Sequence, residues 1–123
     1  MIKKDTFEIG SKTFKSRLMI GTGKYKSPKI MIDSIESSKS EIITVAIRRI
    51  KNMDKDSNLL QHINWSKYWM LPNTAGCTNC DEAVRIALLG RELAKLSGQE
   101  DNNFIKLEVI PDIKYLLPDP IET

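Results

Sequence analysis

The stretch Asn103-Phe104-Ile105-Lys106-Leu107-Glu108-Val109-Ile110 decides how the rest of the chain is read, because it sets two opposite charges inside what is otherwise a strand of buried character. Alternation along an extended chain sends Ile105, Leu107 and Val109 to one face and Phe104, Lys106, Glu108 and Ile110 to the other. In a parallel sheet covered by helices both faces are normally apolar, so an ammonium and a carboxylate on one face need a reason. They point the same way, roughly 7 Å apart along the strand. An ion pair serving only structural specificity is one reason. A reaction site at a strand end is the other, and the rest of the chain bears on the choice.

Just upstream lies the longest helix. Asn79 with Glu82 three residues on has the form of a capping box, and Gly98 stands where a C-terminal stop belongs. Its apolar positions, Ala83, Val84, Ile86, Ala87, Leu88, Leu93 and Ala94, predict a wide buried face, suited to packing between a sheet and something else such as another subunit. Before that helix, a short strand at Trp69 to Leu71 runs into Pro72-Asn73-Thr74-Ala75-Gly76. This loop of small polar residues can bring its backbone close to a ligand, which makes Asn73 and Thr74 the candidates for substrate contact.

Further upstream, Ile42 to Ile47 is a near-continuous β-branched run, the mark of a strand buried on both faces, and it ends at Arg48-Arg49. A polar segment from Lys51 to Asn58 follows, then a short helix around Leu59 to Ile63 with His62 on its surface. Arg17 to Ile20 is another short strand, leading into Gly21-Thr22-Gly23-Lys24-Tyr25. Ser27 then caps a helix with Pro28 at its first position, running to about Ser38 with Ile30, Met31 and Ile35 inward. The Gly-Thr-Gly-Lys run is not a nucleoside-triphosphate loop: Leu18 stands where the first glycine belongs, and Tyr25 replaces the magnesium-binding Ser or Thr. At the start, Phe7 to Ile9 and Lys12 to Phe14 flank Gly10-Ser11, a hairpin that would cap an open end of a sheet or barrel. Beyond the lysine stretch, Pro111 to Leu117 is a loop, and Pro118-Asp119-Pro120 opens a new helix with Asp119 as its cap.

Strand and helix alternate with short loops, which defines an α/β chain with a parallel sheet. The expected parallel strands are 17–21, 42–47, 69–72 and 104–109, preceded by the hairpin at 7–14. Sites in such folds form at the carboxyl ends of the strands. Every unusual polar cluster falls there: Gly21 to Lys24, Arg48-Arg49, Asn73 to Gly76, and Lys106 with Glu108. A (βα)8 TIM barrel takes about 250 residues, so these 123 residues supply the hairpin and about the first four βα units, a single domain over 1–123 without its C-terminal half.

Composition is that of a globular chain, and no apolar run approaches the roughly 20 residues that cross a bilayer. The first residues, Met1 to Thr6, lead into a strand pattern without a signal core or transit segment, so the protein is expected to work where it is made. A net charge of +3 with scattered basic residues argues against nucleic acid and leaves a small anionic substrate open. Lysine outnumbers arginine and isoleucine and asparagine are frequent, a bias of AT-rich genomes such as those of plastids and certain bacteria. Cys77 and Cys80 form a Cys-x-x-Cys. A structural zinc needs four ligands and His62 offers at most a third; a redox pair needs its own βαβ context. Incidental thiols at a helix start are the reading preferred here.

Taken together, Gly21-Thr22-Gly23-Lys24-Tyr25, Thr44-Val45-Ala46-Ile47-Arg48-Arg49, Leu71-Pro72-Asn73-Thr74-Ala75-Gly76-Cys77, the run from Asn103 to Asp112, and Tyr115-Leu116-Leu117-Pro118-Asp119-Pro120-Ile121 resemble the thiazole synthases of thiamine biosynthesis. The resemblance extends in order over nearly the whole chain and is strongest to cyanobacterial and plastid-encoded members along Gly98 to Asn103. It departs at Asn79-Cys80-Asp81, where the family usually has Thr-Ala-Glu, and at Ile113, where proline is common. The resemblance implies a (βα)8 barrel that condenses 1-deoxy-D-xylulose 5-phosphate, dehydroglycine (2-iminoacetate) and sulfur from a carrier protein's C-terminal thiocarboxylate into the thiazole phosphate of thiamine. It puts the Schiff-base lysine on Lys106 and the acid/base glutamate on Glu108, with no cofactor and no metal. It also implies a homotetramer, a sulfur-carrier partner and a dehydroglycine-forming enzyme, in a plastid stroma or a bacterial cytoplasm. The family's phosphate-binding glycine loops and a further catalytic aspartate lie in its second half.

The chemistry fits the fourth strand. A lysine that attacks a ketone must spend time neutral, which an apolar surround encourages, and the resulting iminium acidifies adjacent carbons so that a carboxylate can move protons. Three other readings stand beside this one, the last of them a metal or redox module built on Cys77 and Cys80. An aldolase-like Schiff-base barrel would use a strand lysine equally well but leaves Leu71 to Gly76 and Leu116 to Pro120 without a role. An inactive half-barrel is the rival for the isolated chain.

Overall fold

The computed structural model describes residues 5–50 and 59–123, so the polar segment expected over Lys51 to Asn58 lies outside the described residues. Strands β1 (Phe7–Ile9) and β2 (Lys12–Phe14) form the expected hairpin, pairing Phe7 with Phe14 and Ile9 with Lys12. Gly10 opens its two-residue turn at φ 59°, a conformation that strains any residue with a Cβ. Three parallel strands follow, β3 (Met19–Gly21), β4 (Ile42–Ala46) and β5 (Trp69–Asn73), adjacent in that order. The register puts Gly21 beside Thr44, Thr44 beside Leu71, and Ala46 beside Asn73. The described residues form an α/β fold with an open sheet; no closed barrel is present among them.

Helix α1 (Pro28–Ser38) starts where Ser27 Oγ accepts the Ile30 N–H at 3.3 Å and stops at Lys39, which turns left-handed at φ 54°. Met31 and Ile35, one turn apart, are fully buried against the sheet. Ile30 was expected inward and is instead 46% exposed. Once Met31 and Ile35 define the buried stripe, its flank is taken by Ile32, which packs on the same cluster, and Ile30 falls on the solvent side. Arg48 and Arg49 do not simply end a strand; they sit in a one-turn helix, α2 (Ile47–Ile50). A 3-10 turn covers Leu59–His62, with His62 exposed and Ile63 buried behind it.

Helix α3 (Cys80–Leu96) begins at Asn79, whose Oδ1 accepts the Glu82 N–H at 2.9 Å, and Gly98 follows its end at φ 88°. Its buried stripe, Ala83, Ile86, Gly90 and Ala94, is narrower than the apolar pattern predicts. Val84 and Leu88 are 52% and 54% exposed. The small residues explain the difference: they let the helix settle so close to β5 that a Cβ on Gly90 would lie 2.6 Å from Pro72 Cβ. At that distance only a thin stripe can be covered.

Apolar side chains collect on both faces of the sheet. Toward the helices, Val45, Met70, Cys77, Ile86, Ala94 and Val109 form one cluster, and Met31, Ile35, Ile43 and Tyr68 another. On the opposite, inner face, Ile42 and Leu71 meet Phe14, with Phe7, Ile9, Trp69 and Phe104 around them. The hairpin therefore closes the amino end of the inner face, which is the capping role its sequence predicts.

The expected fourth strand, 104–109, runs parallel beside β5 but makes a single bridge, Asn73 to Lys106, instead of a ladder. Lys106 N–H donates to Pro72 O at 2.9 Å and Thr74 N–H to Lys106 O at 3.2 Å. One step toward the amino end, Pro72 has no N–H to give Phe104 O. There the Asn102 amide intervenes, donating to Met70 O at 2.8 Å while its Oδ1 accepts the Phe104 N–H at 2.9 Å. One step toward the carboxyl end, the Thr74 hydroxyl takes the place of the backbone. Side chains on both sides of one bridge thus do the pairing that backbone groups do elsewhere in the sheet. After Pro111 the expected helix is a turn at 120–122 among the described residues, with Asp119 Oδ1 accepting the Ile121 and Glu122 N–H groups as a cap would.

Candidate active site at the strand ends

The parallel register brings Ala46, Asn73 and Lys106 into one layer across the inner face near the carboxyl ends of the strands. Alternation is as the sequence predicts. Phe104 stacks edge-on with Trp69 at 5.6 Å on the inner face, whereas Ile105 touches the Gly90 position and Val109 is fully buried on the helix side. Alternation from Phe104 assigns Lys106 and Glu108 to that same face, with Glu108 two residues nearer the carboxyl end. Lys106 is exposed and Glu108 half-buried. Among the described residues the ion pairs are Arg17–Asp5, Lys29–Asp33 and Arg48–Glu82, so the Lys106 ammonium and the Glu108 carboxylate are not paired with each other.

Three of the four polar clusters meet around a cavity of about 240 Å³ lined by Gly21 to Lys24, Thr44, Ala46, Arg49 and Asn73. Asn73 belongs both to this cavity and, through its bridge, to the lysine layer. It is 7% exposed, its Nδ2 donates to Thr44 Oγ1 at 2.9 Å, and its Oδ1 accepts the Ala75 N–H at 3.1 Å. The Thr44 carbonyl in turn accepts the Thr22 hydroxyl at 3.1 Å. These bonds fix the cavity wall from β3 to β5. The other candidate for substrate contact, Thr74, is fully buried with its hydroxyl engaged by Glu108.

Arg48 leaves the cavity. Its guanidinium donates to Gly76 O and lies 3.4 Å from the Glu82 carboxylate, clamping the loop onto the start of α3. Glu82 also accepts the Thr78 N–H at 2.9 Å, and that hydrogen bond above all holds its carboxyl below the usual range. A larger hollow, about 660 Å³, lies between Arg48 and the outer side of α3. It lies on the helical flank, lined by Glu82, Arg85, Leu88, Leu89 and Glu92 of α3.

The two cysteines face different surroundings. Cys77 is fully buried in the core, and burial, helped by the Glu82 carboxylate, pushes its thiol up from the ordinary value. Cys80 is exposed at the first residue of α3, and both thiols are free. Among the described residues no three His, Cys, Asp or Glu side chains gather as metal ligands would.

Sequence reasoning missed Gln99 and Asn102. Gln99, 7% exposed, accepts the Met70 N–H at 3.1 Å and donates to the carbonyls of Trp65 and Tyr68 at 2.8 and 2.7 Å. With Asn102 it seats the segment that carries Lys106. A run such as Gln-Glu-Asp-Asn-Asn reads as a solvated loop, and its only signal is that two amides sit just before an apolar strand.

A parallel sheet alternating with helices, its polar groups collected at the strand ends, defines an α/β protein and is consistent with part of a βα barrel. The sequence profile described as thiazole biosynthesis protein ThiG matches residues 8–123, and the chain belongs to that family. A thiazole synthase of Prochlorococcus marinus strain MIT 9301 is 75% identical over 115 residues, covering 94% of this chain and 44% of that protein. The thiazole synthase of strain CCMP1986 / NIES-2087 / MED4 is 68% identical over 123 residues, and that of strain NATL1A is 62% identical over 117. The chain spans less than half the length of these curated relatives.

Proposed function

We propose that this chain is the amino-terminal half of a (βα)8-barrel thiazole synthase and carries its imine-forming lysine. What supports the reading is Lys106, bridged to Asn73 at the carboxyl end of β5 and two residues before Glu108, in a chain of this family. Lys106 Nζ attacks the ketone of 1-deoxy-D-xylulose 5-phosphate and water leaves, giving an iminium. The iminium acidifies the neighbouring carbon, and the Glu108 carboxylate takes and returns protons as the sugar tautomerises. Sulfur from a carrier protein's thiocarboxylate and the two-carbon imine dehydroglycine, made by a separate enzyme, then complete the ring. Homotetramer formation belongs to the same proposal. The relatives are bacterial, which favours a bacterial cytoplasm over a plastid stroma as its compartment.

The test uses this chain completed with the remaining residues of its MIT 9301 relative. Borohydride reduction with deoxyxylulose phosphate should leave an adduct on the peptide holding Lys106. Lys106→Arg should abolish adduct and turnover together, because a guanidinium stays protonated. Glu108→Gln should still trap the first imine but stall later steps. An adduct on Lys24 or Lys114, or near-normal turnover by Lys106→Arg, would sink the proposal.

A further inference from the structure

Thr74 stands at the carboxyl end of β5, fully buried, with its hydroxyl between two strands. Oγ1 accepts the Glu108 N–H at 2.8 Å and donates to Glu108 O, also at 2.8 Å. A hydroxyl has one proton to donate, so these two bonds commit that proton and one lone pair to a residue 34 positions away. In an unbroken parallel ladder the Glu108 N–H would go to Thr74 O. Here Thr74 O is turned to the Cys77 N–H at 3.1 Å, because the loop bends after Asn73. On the other side of the bridge Pro72 cannot donate at all. The backbone on either side of Glu108 is therefore held to β5 and the loop after it by one bridge at Lys106, one hydroxyl at Glu108 and the Ile110 N–H on Cys77 O at 2.9 Å.

From this geometry we infer that Thr74 is a positioning residue: its hydroxyl, standing in for the missing ladder, sets the height and direction of the Glu108 side chain relative to Lys106. The inference rests on the imine chemistry proposed above and gives Thr74 a role other than substrate contact. It follows that the methyl group of Thr74 is dispensable and the hydroxyl is not. Without the hydroxyl the Glu108 N–H and C=O lose their shared partner inside a buried joint. The carboxylate then drifts while Lys106, fixed by its own backbone bridge, stays in place.

In the completed protein, Thr74→Val keeps the shape and deletes the hydroxyl, and Thr74→Ser keeps the hydroxyl. Thr74→Val should lower kcat about 10- to 100-fold, the cost of a misplaced reacting group, with KM for deoxyxylulose phosphate nearly unchanged and the borohydride-trapped imine on Lys106 still formed. Thr74→Ser should return kcat to within a few-fold of the parent. Fragmentation mass spectrometry after deuterium exchange should find the Glu108 amide exchanging faster in Thr74→Val and not in Thr74→Ser. A folded Thr74→Val with unchanged kcat overturns the inference, as does a rise in KM alone, which would mark Thr74 as a substrate ligand. Loss of the trapped imine together with kcat also overturns it, since Thr74 would then act on Lys106. Should Thr74→Val not fold, Thr74→Ser decides: parent-like kcat and Glu108 exchange support the assignment, and a large loss in a folded protein overturns it. If the parent traps no imine on Lys106, the proposed function fails first; an unchanged Glu108 exchange rate in Thr74→Val then removes the structural half of the inference as well.

Discussion

Gly90 is the residue on which the seating of α3 depends. An alanine there is favoured by helix propensity by about 1 kcal/mol, yet its Cβ would fall 2.6 Å from Pro72 Cβ and 3.4 Å from Ile105 Cδ1. Pro72 is fully buried in a strand and has no rotamer with which to yield. Overpacking therefore wins, and Gly90→Ala should destabilise the completed protein by about 1–3 kcal/mol, read as a lowered urea midpoint. At the same scale, the two thiols should part company: at neutral pH iodoacetamide should alkylate exposed Cys80 and leave buried Cys77 intact until the protein is unfolded. Peptide mass mapping checks this, and equal labelling rates would contradict the burial of Cys77.

At the level of elements, the start of α3 has two separable supports. Asn79→Ala removes the cap on the Glu82 N–H and should cost about 1 kcal/mol. Glu82→Gln removes a carboxylate whose folded pKa lies below its ordinary value, chiefly through the Thr78 N–H. A depressed carboxylate pKa means that the stabilisation is fully present above the unfolded pKa and lost as pH falls through the folded one. The gap in Tm between parent and Glu82→Gln should accordingly be widest near neutrality and close on acidification below about pH 4. The elements themselves were largely legible. Ser27-Pro28 and Asn79 announce helix starts because a cap is a local device, and β4 is announced by an unbroken β-branched run. The inward turn of Phe104 and the helix-side burial of Val109 are legible because alternation needs no partner. What could not be read is whatever depends on a remote residue. The one-bridge fourth strand follows from Pro72, Thr74 and Asn102 acting on it, and the exposure of Leu88 follows from how closely Gly90 lets α3 approach.

Across the whole molecule, apolar surface remains open. Leu88, Leu96 and Leu107 are 54%, 86% and 48% exposed, and the tail adds Ile113, Leu116, Leu117 and Ile121. This much exposed hydrocarbon is the mark of surface that another body covers. The chain over 1–123, expressed alone, should associate nonspecifically and form no thiazole phosphate, since the family's phosphate loops are expected in the other half of the barrel. Light scattering and a product assay check both outcomes, and turnover by the purified 1–123 chain would refute the half-barrel reading.

Pro72 has a further effect, on the order in which the protein is made. A ribosome releases β5 well before the lysine segment, and for that interval the strand's outer flank has to wait for its neighbour. Pro72 offers no donor there, and once α3 has formed, Gln99 and Asn102 occupy the N–H and C=O of Met70. A stray strand from another nascent chain would find few bonds to make along that flank. The seam that leaves the lysine segment with a single backbone bridge should thus also resist wrong partners, first through the imino acid and then through the two amides that fold in just ahead of that segment.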